Sequence, residues 1–397
     1  MNKLKLLSKL LKLEIKKMLD NKTFLYLIVA MAICYILAII FTLWGLKLTG
    51  GANLRETIKA KEETLKSEKK YLQWLKNKKR SQKEVLYQVE KIKEIEREIN
   101  QLRLLSSNND LKTQMEERIK MMENALKQAK ITRERFKMEA EIHYLRKLYE
   151  KKIYVWDKQM LYSKNGLFTA SMANEVFIRF LLPVFIVFAL LKSTQINEVK
   201  NKTIRNMMLL PCSRMKLWMA QFLSNSFVIV STYVIVNILV TAILFFSLEN
   251  KRIDIPVRIY KWQIIAKDVI IDPSKIEFMP IIQQYISTLI ITVVTLCMLV
   301  SINMFVNVLF WNENLSFIFI SALLFIPKII WTNITNKSYF LLNPYSLYVS
   351  TEIANLEISG VYNIPINSSM IYLGLIVLWT TLFLLVGGLI FERRKVY

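Results

Sequence analysis

Few residues in this chain could do covalent or metal chemistry, and those that could are scattered. The single histidine, His143, lies in a charged helical pattern with no second His or Cys nearby to complete a metal site. Cys34 and Cys297 fall in apolar runs and Cys212 in a basic loop, so neither a CxxC pair nor a disulfide framework is implied. None of Gly45, Gly50, Gly51, Gly166, Gly360, Gly374, Gly387 or Gly388 sits in a phosphate-cradling loop ending in Gly-Lys-Ser/Thr. HExxH and Gly-x-Ser-x-Gly are missing too. The expectation is a chain that is not an enzyme, with no catalytic residue, metal site or bound cofactor of its own. If ATP drives it, another polypeptide must hold the nucleotide.

The remaining candidates are charged and amide side chains set inside apolar segments. Composition is 53% hydrophobic with a net charge of +24, so apolarity and charge must be segregated along the chain. The apolar part falls into runs of about 20 residues, the length that crosses a bilayer's hydrocarbon. We read spans at 23–48, 174–192, 217–248, 281–310, 315–332 and 369–391. The expected fold is an all-α polytopic membrane protein with six transmembrane helices. Glu175 and Arg179 are four apart in the second span and can pair on one face. Asn225 and Asn237 lie in the third span and Lys328 near the end of the fifth. These five could mark a translocation path. Snorkelling or pairing serves equally for the charges, and helix-to-helix bonding for the amides.

Two segments complete the frame. Residues 1–22 alternate Leu4, Leu7, Leu11, Ile15 and Met18 with Lys5, Lys9, Lys12 and Lys16, the pattern of a basic amphipathic helix at an anionic cytoplasmic surface. Residues 49–170 turn strongly polar, with no proline between Gly51 and Gly166. Ile58, Leu65, Leu72, Leu75, Leu86 and Val89 follow a seven-residue step, continued by Ile92, Ile95, Ile99 and Leu102. Ser106 to Asp110 breaks the pattern, with Asn109 or Asp110 placed to cap the next helix. That helix is marked by Leu111, Met115, Ile119, Met122, Leu126 and Phe136. The expectation is one long extracytoplasmic antiparallel hairpin whose two arms, of about 50 residues each, reach about 75 Å. Within residues 51–165, 29 Lys and Arg stand against 18 Asp and Glu. The interleaved signs fit a solvated coiled-coil face, or a stalk that attracts an anionic polymer, head group or acidic partner.

Between the second and third spans, residues 193–216 form a short basic loop reading E-V-K-N-K-T-I-R-N-M-M-L-L-P-C-S-R from Glu198 to Arg214. A proline after an apolar run, flanked by cations, suits a short helix on a membrane face. Here the sequence resembles the ABC-2 type permeases of the ABC transporters. Glu198, Thr203, Leu209, Leu210, Pro211, Ser213 and Arg214 match the family pattern, with Arg205 in the same stretch. Lys202 stands where the family usually has Gly, and Gln221 where it often has Lys. Leu341-Leu342-Asn343-Pro344-Tyr345, within 333–368, resembles the re-entrant segment before the family's last helix. The tail at 392–397, beginning Glu392-Arg393-Arg394-Lys395, is similar to its basic ending. The resemblance implies that this loop couples to a separate P-loop ABC ATPase carrying ATP and Mg, and that the chain pairs with a second permease subunit, identical or similar. It implies no nucleic-acid partner.

Charge sets the expected orientation. Net charge is +5 over residues 1–22, +5 over 192–216 and +2 over the tail, against +1 over 248–283 and −1 over 336–368. The positive-inside rule then places both termini and the central loop in the cytoplasm of a cell-membrane protein, and 49–170, 249–280 and 333–368 outside. Low Gly with abundant Lys, Ile and Asn points to an AT-rich bacterial genome, and export of peptides or drugs is the expected activity. The rival is a membrane-anchored coiled-coil receptor or envelope scaffold without transport. A secondary transporter would show internal repeats and midplane ionisable groups.

Overall fold

A backbone amide in hydrocarbon finds a partner only inside a helix or a closed barrel, and the apolar runs of this chain take the first route. The computed structural model describes residues 11–16, 23–48, 54–78, 82–107, 110–128, 132–155, 161, 164–182, 213–248, 251–265, 268–310, 312–331, 347 and 350–393. They divide into a unit of Met1–Thr42 with Gly166–Tyr397, and a unit of Leu43–Asn165.

In the first unit, helices α1 (Thr23–Leu48), α7 (Arg214–Ser247), α8 (Ile281–Phe310) and α12 (Ser369–Arg393) match four of the expected spans. Among the described residues these four are long and apolar enough to cross a membrane. Helix α9 (Glu313–Trp331) coincides with the fifth, its start capped by Asn312 Oδ1, which accepts from Asn314 N at 3.0 Å. The second span begins earlier than expected. Helix α6 runs Gly166–Val176 and continues as a π-turn, Phe177–Leu181. Its first five residues, 166–170, therefore come from the segment assigned to the hairpin. Gly166, Ala170 and Ala173 explain the shift, since small side chains let this helix pack closely and bury nearly its whole circumference. Residues 183–192 of that span lie outside the described residues, as does the 341–345 segment. Of the N-terminal amphipathic stretch, residues 11–16 are helical, with Lys12 and Lys16 exposed but Glu14, not an apolar side chain, the most buried.

Helix α8 is the centre of this unit, packing on α12, α7, α6 and α9. Its hydroxyls are accommodated by bonding back along the helix: Thr292 and Thr295 donate to the carbonyls of Thr288 and Ile291, each at 2.8 Å. Residues 249–280, whose structure the sequence left open, hold strands β1 (Pro256–Ile259) to β4 (Glu277–Pro280), antiparallel with Val257 facing Met279, and β2 (Trp262–Ile265) to β3 (Asp268–Ile271), with Gln263 facing Ile270. This segment locks onto the short helices α10 (Ser350–Ala354) and α11 (Glu357–Tyr362). Trp262 Nε1 donates to Leu356 O at 2.6 Å, and the Asn367 amide exchanges bonds with Trp262 N (2.8 Å) and O (3.0 Å). The indole covers Gly360 so closely that a Cβ there would overlap its ring.

The second unit corrects the single long hairpin. Four helices stand where two arms were expected: α2 (Leu54–Asn77), α3 (Gln82–Ser107), α4 (Leu111–Gln128) and α5 (Thr132–Glu150). Helix α2 packs antiparallel on α3, and α4 on α5. At 24 and 26 residues, α2 and α3 are about 36–39 Å long, half the expected reach. The reason is local. From Lys76 to Glu84 there is no apolar side chain, so more than two turns of continued helix would bury nothing, and the chain folds back instead. Ile58, Ile99 and Leu102 form the seam of the first hairpin with Leu65 and Ile95, and Met121 of α4 packs against it.

Asp110 caps α4 as expected. Its carboxylate accepts from Lys112 N at 3.1 Å and from the Thr113 hydroxyl at 2.7 Å, and those bonds hold it below the ordinary aspartate range. A depressed carboxyl contributes stability that is present above its unfolded pKa and lost as pH falls through the lower folded value. Hydrogen exchange should therefore show the first turn of α4 loosening below about pH 4 in the native protein. In Asp110→Asn that acid dependence should vanish, and in Asp110→Ala the turn should be loose at neutral pH.

Candidate functional site

Six of the eight expected coupling residues, Glu198, Thr203, Arg205, Leu209, Leu210 and Pro211, lie outside the described residues. Ser213 and Arg214 are described, and they show how the loop enters the membrane unit. Ser213 is extended, and its carbonyl accepts from Lys216 N at 2.9 Å, opening α7. Arg214 Nη1 donates to Glu392 O at 3.1 Å, placing a cation at the carbonyl end of α12. One turn on, Trp218 is fully buried, packs on Phe391 at 5.6 Å between ring centroids, and donates from Nε1 to Leu384 O at 3.0 Å. It fills the space left by Gly387 and Gly388, where a Cβ would come within 2.7 Å and 3.1 Å of the indole. The first turns of α7 are thus pinned to the last turns of α12. Sequence reasoning missed Trp218 and Gly387-Gly388. Their signal was a pair of glycines inside an apolar helix, which marks a close approach.

The five polar candidates separate. Asn237 sits at the centre of a buried network. Its Nδ2 donates to Tyr35 Oη at 2.6 Å and reaches Asn174 Oδ1 at 3.4 Å, while its Oδ1 accepts from Tyr285 Oη. Tyr233 Oη donates to Asn174 Oδ1 at 2.6 Å, and Tyr285 Oη shares a hydrogen bond with Thr241 at 3.0 Å. Helices α1, α6, α7 and α8 all contribute. Tyr35 also lies 5.1 Å from Phe177, at the start of the π-turn. Asn237 is therefore committed to neighbouring helices. Asn225 is buried elsewhere on α7, and Glu175 is half-buried at the end of α6. Arg179 falls in the π-turn and Lys328 in α9, but both side chains lie outside the described residues, as does any Glu175 to Arg179 pairing. The network's missed members were legible in part: Tyr233, Asn237 and Thr241 recur every fourth residue and so share one face.

The permease resemblance extends over the chain as a whole. Residues 9–396 match the family described as ABC-2 family transporter protein. The chain belongs to the ABC-2 transporter family. It is the membrane component of a transporter, in a family whose members are not themselves catalytic, and a multi-pass membrane protein. Curated proteins compared one by one give no match. In this ABC-2 transporter the matched region includes the Leu43–Asn165 unit, which is inserted between α1 and α6.

Replacing Asn237 by Val should leave the Tyr35, Asn174 and Tyr285 groups short of partners and lower the stability of the solubilised transporter by about 1–2 kcal/mol, read as a shift in its unfolding midpoint. Gly387→Leu should cost about 1–3 kcal/mol by overpacking against Trp218, and Trp218→Leu in the same chain should recover part of that loss.

Proposed function

We propose that this protein is the permease subunit of an ATP-driven exporter, and that the 198–216 loop couples it to a separate ATPase subunit. The observation that carries this reading is the pinning of Arg214 and Trp218 to the end of α12. A push on the loop would arrive at two membrane helices together, not at one free strand of chain. Six spans, counting the second and fifth at 174–192 and 315–332, put both termini on one side, and the basic loop and tail favour the cytoplasm. The Leu43–Asn165 unit and the strand-bearing 249–280 segment then belong outside. The π-turn at Phe177–Leu181 lies near the start of the span that leads into the loop, and π-turns recur at functional sites in helices.

In this reading Glu198, Thr203, Arg205, Leu209, Leu210, Pro211, Ser213 and Arg214 present the docking surface, and ATP and Mg are held by the partner. Two permease subunits form the translocation path at their interface, and the cargo class is peptides or drugs. The apolar faces of α1, α7 and α12, where Ile40, Ile243 and Leu385 are each more than half exposed, are available to lipid or to that second subunit.

Purification from the native membrane in mild detergent should recover a P-loop ATPase with this chain. Arg214→Glu should reduce transport-coupled ATP hydrolysis at least about tenfold, while Arg214→Lys, which keeps the cation, should retain most of it. Recovery with envelope components only, and with no ATPase after cross-linking, would replace the exporter by a membrane-anchored scaffold.

A further inference from the structure

The first helical hairpin carries a groove that transport coupling does not use. Between α2 and α3, at the end away from the Ile58, Ile99 and Leu102 seam, lies a cavity of about 540 Å³ lined by Tyr71, Tyr87, Ser67, Glu68, Glu84, Gln88 and Lys91, with the buried Leu75. Its size is that of a small-molecule site. The rims are aromatic and open to solvent: Tyr71 is 49% exposed, Tyr87 68%, and Trp74, stacked on Tyr71 at 5.7 Å, 44%. A coiled-coil face has no packing reason to present three large rings to water. The wall is polar and tightly built. Glu68 accepts from Lys91 Nζ at 2.7 Å and from the Gln88 amide, and Gln88 is 3% exposed.

The chemistry of these groups excludes most ligand classes. A phosphate needs uncompensated cations, and Lys91 is already neutralised by Glu68. A peptide added as a strand needs an unpaired strand edge, and both walls here are helices; a proline-rich peptide, which aromatic rims also suit, lacks the donors that the Glu68 carboxylate can accept from. An acyl chain needs an enclosed apolar channel, whereas this groove is open and half polar. What remains is a ligand with flat apolar faces and hydroxyls that both donate and accept. Aromatic rims suit the faces. A carboxylate with acceptor sites to spare, beside an ammonium with three donors, suits the hydroxyls. The unit's excess of Lys and Arg, including exposed Lys76 and Lys78 beside Trp74, adds a positive field around the site.

We infer that the groove between α2 and α3 binds saccharide units of an acidic glycan, the sugar rings stacking on Tyr71 and Tyr87 and their hydroxyls bonding to the Glu68, Gln88 and Lys91 cluster. The site stands on this hairpin alone and does not depend on the coupling reading. In the orientation proposed above it faces the outside of the cell, where such polymers lie.

The test uses the full-length protein in nanodiscs of zwitterionic lipid, free of glycoside detergents, against an array of neutral and uronic-acid-bearing oligosaccharides, with hits titrated by calorimetry. At least one acidic oligosaccharide should bind. Its affinity should fall at least about tenfold in Tyr71→Ala and in Tyr87→Ala, and stay within about twofold in the ring-preserving Tyr71→Phe and in Glu63→Gln, which lies outside the groove. Raising salt from about 50 to about 500 mM should weaken the acidic ligand more than a neutral one. Failure of every oligosaccharide to bind overturns the inference, as does binding that survives Tyr71→Ala with Tyr87→Ala. If the Ala variants instead lose flotation on phosphatidylglycerol vesicles and no sugar binds, the rings contact lipid and the glycan site is rejected.

Discussion

Inside a bilayer a polar group without a partner is costly, and α1, α6, α7 and α8 answer that constraint jointly. Asn237 cannot be satisfied by its own helix. Its amide is completed by Tyr35, Asn174 and Tyr285, and theirs by Tyr233 and Thr241. Separating one helix would strand groups on the other three, so the network holds the membrane unit in a single register. The apolar contacts around it, Phe177 and Tyr233 among them, fill space but do not choose between nearby registers as sharply.

A second connection lies where α7 begins and α12 ends. There, Trp218 packs on Phe391 and also donates to Leu384 O, and Arg214 closes the carbonyl end at Glu392. The glycines are what permit it, because a side chain at Gly387 or Gly388 would occupy the volume of the indole. The unit is therefore braced at the mouth of the basic loop and across its helices. The function proposed above would give this bracing a role. A transporter driven by another chain, as proposed above, needs one stiff point at which to be pushed.

Away from those helices the same economy of contacts recurs. The strands between α7 and α8 are only four residues each and form two separate pairs, too little sheet to be stable alone. They are held by Trp262 over Gly360 and by Asn363, whose side chain accepts from Val269 N at 2.9 Å while its backbone takes the left-handed conformation that closes α11. In the Leu43–Asn165 unit, ion pairs such as Lys69 to Glu96 cross the first hairpin, but exposed pairs contribute little, and the Ile58 to Leu102 seam holds the helices together.

Length and hydrophobicity by themselves determined the spans at 23–48, 281–310 and 369–391, because a bilayer fixes both the length and the polarity of what crosses it. Local chemistry determined the Asp110 cap, and the residues of the basic loop pointed to the family. Tertiary structure decided the rest. A heptad step records which face is apolar but not where a helix turns back, so one long hairpin and two short ones share a pattern, and the polar run at Lys76 to Glu84 settles the matter only once α3 is there to pack on α2. Likewise an asparagine in a span announces a partner without naming it. Whether Asn237 meets cargo or other helices depends on Tyr35 and Tyr285, 202 and 48 residues distant along the chain, and only the fold brings them together.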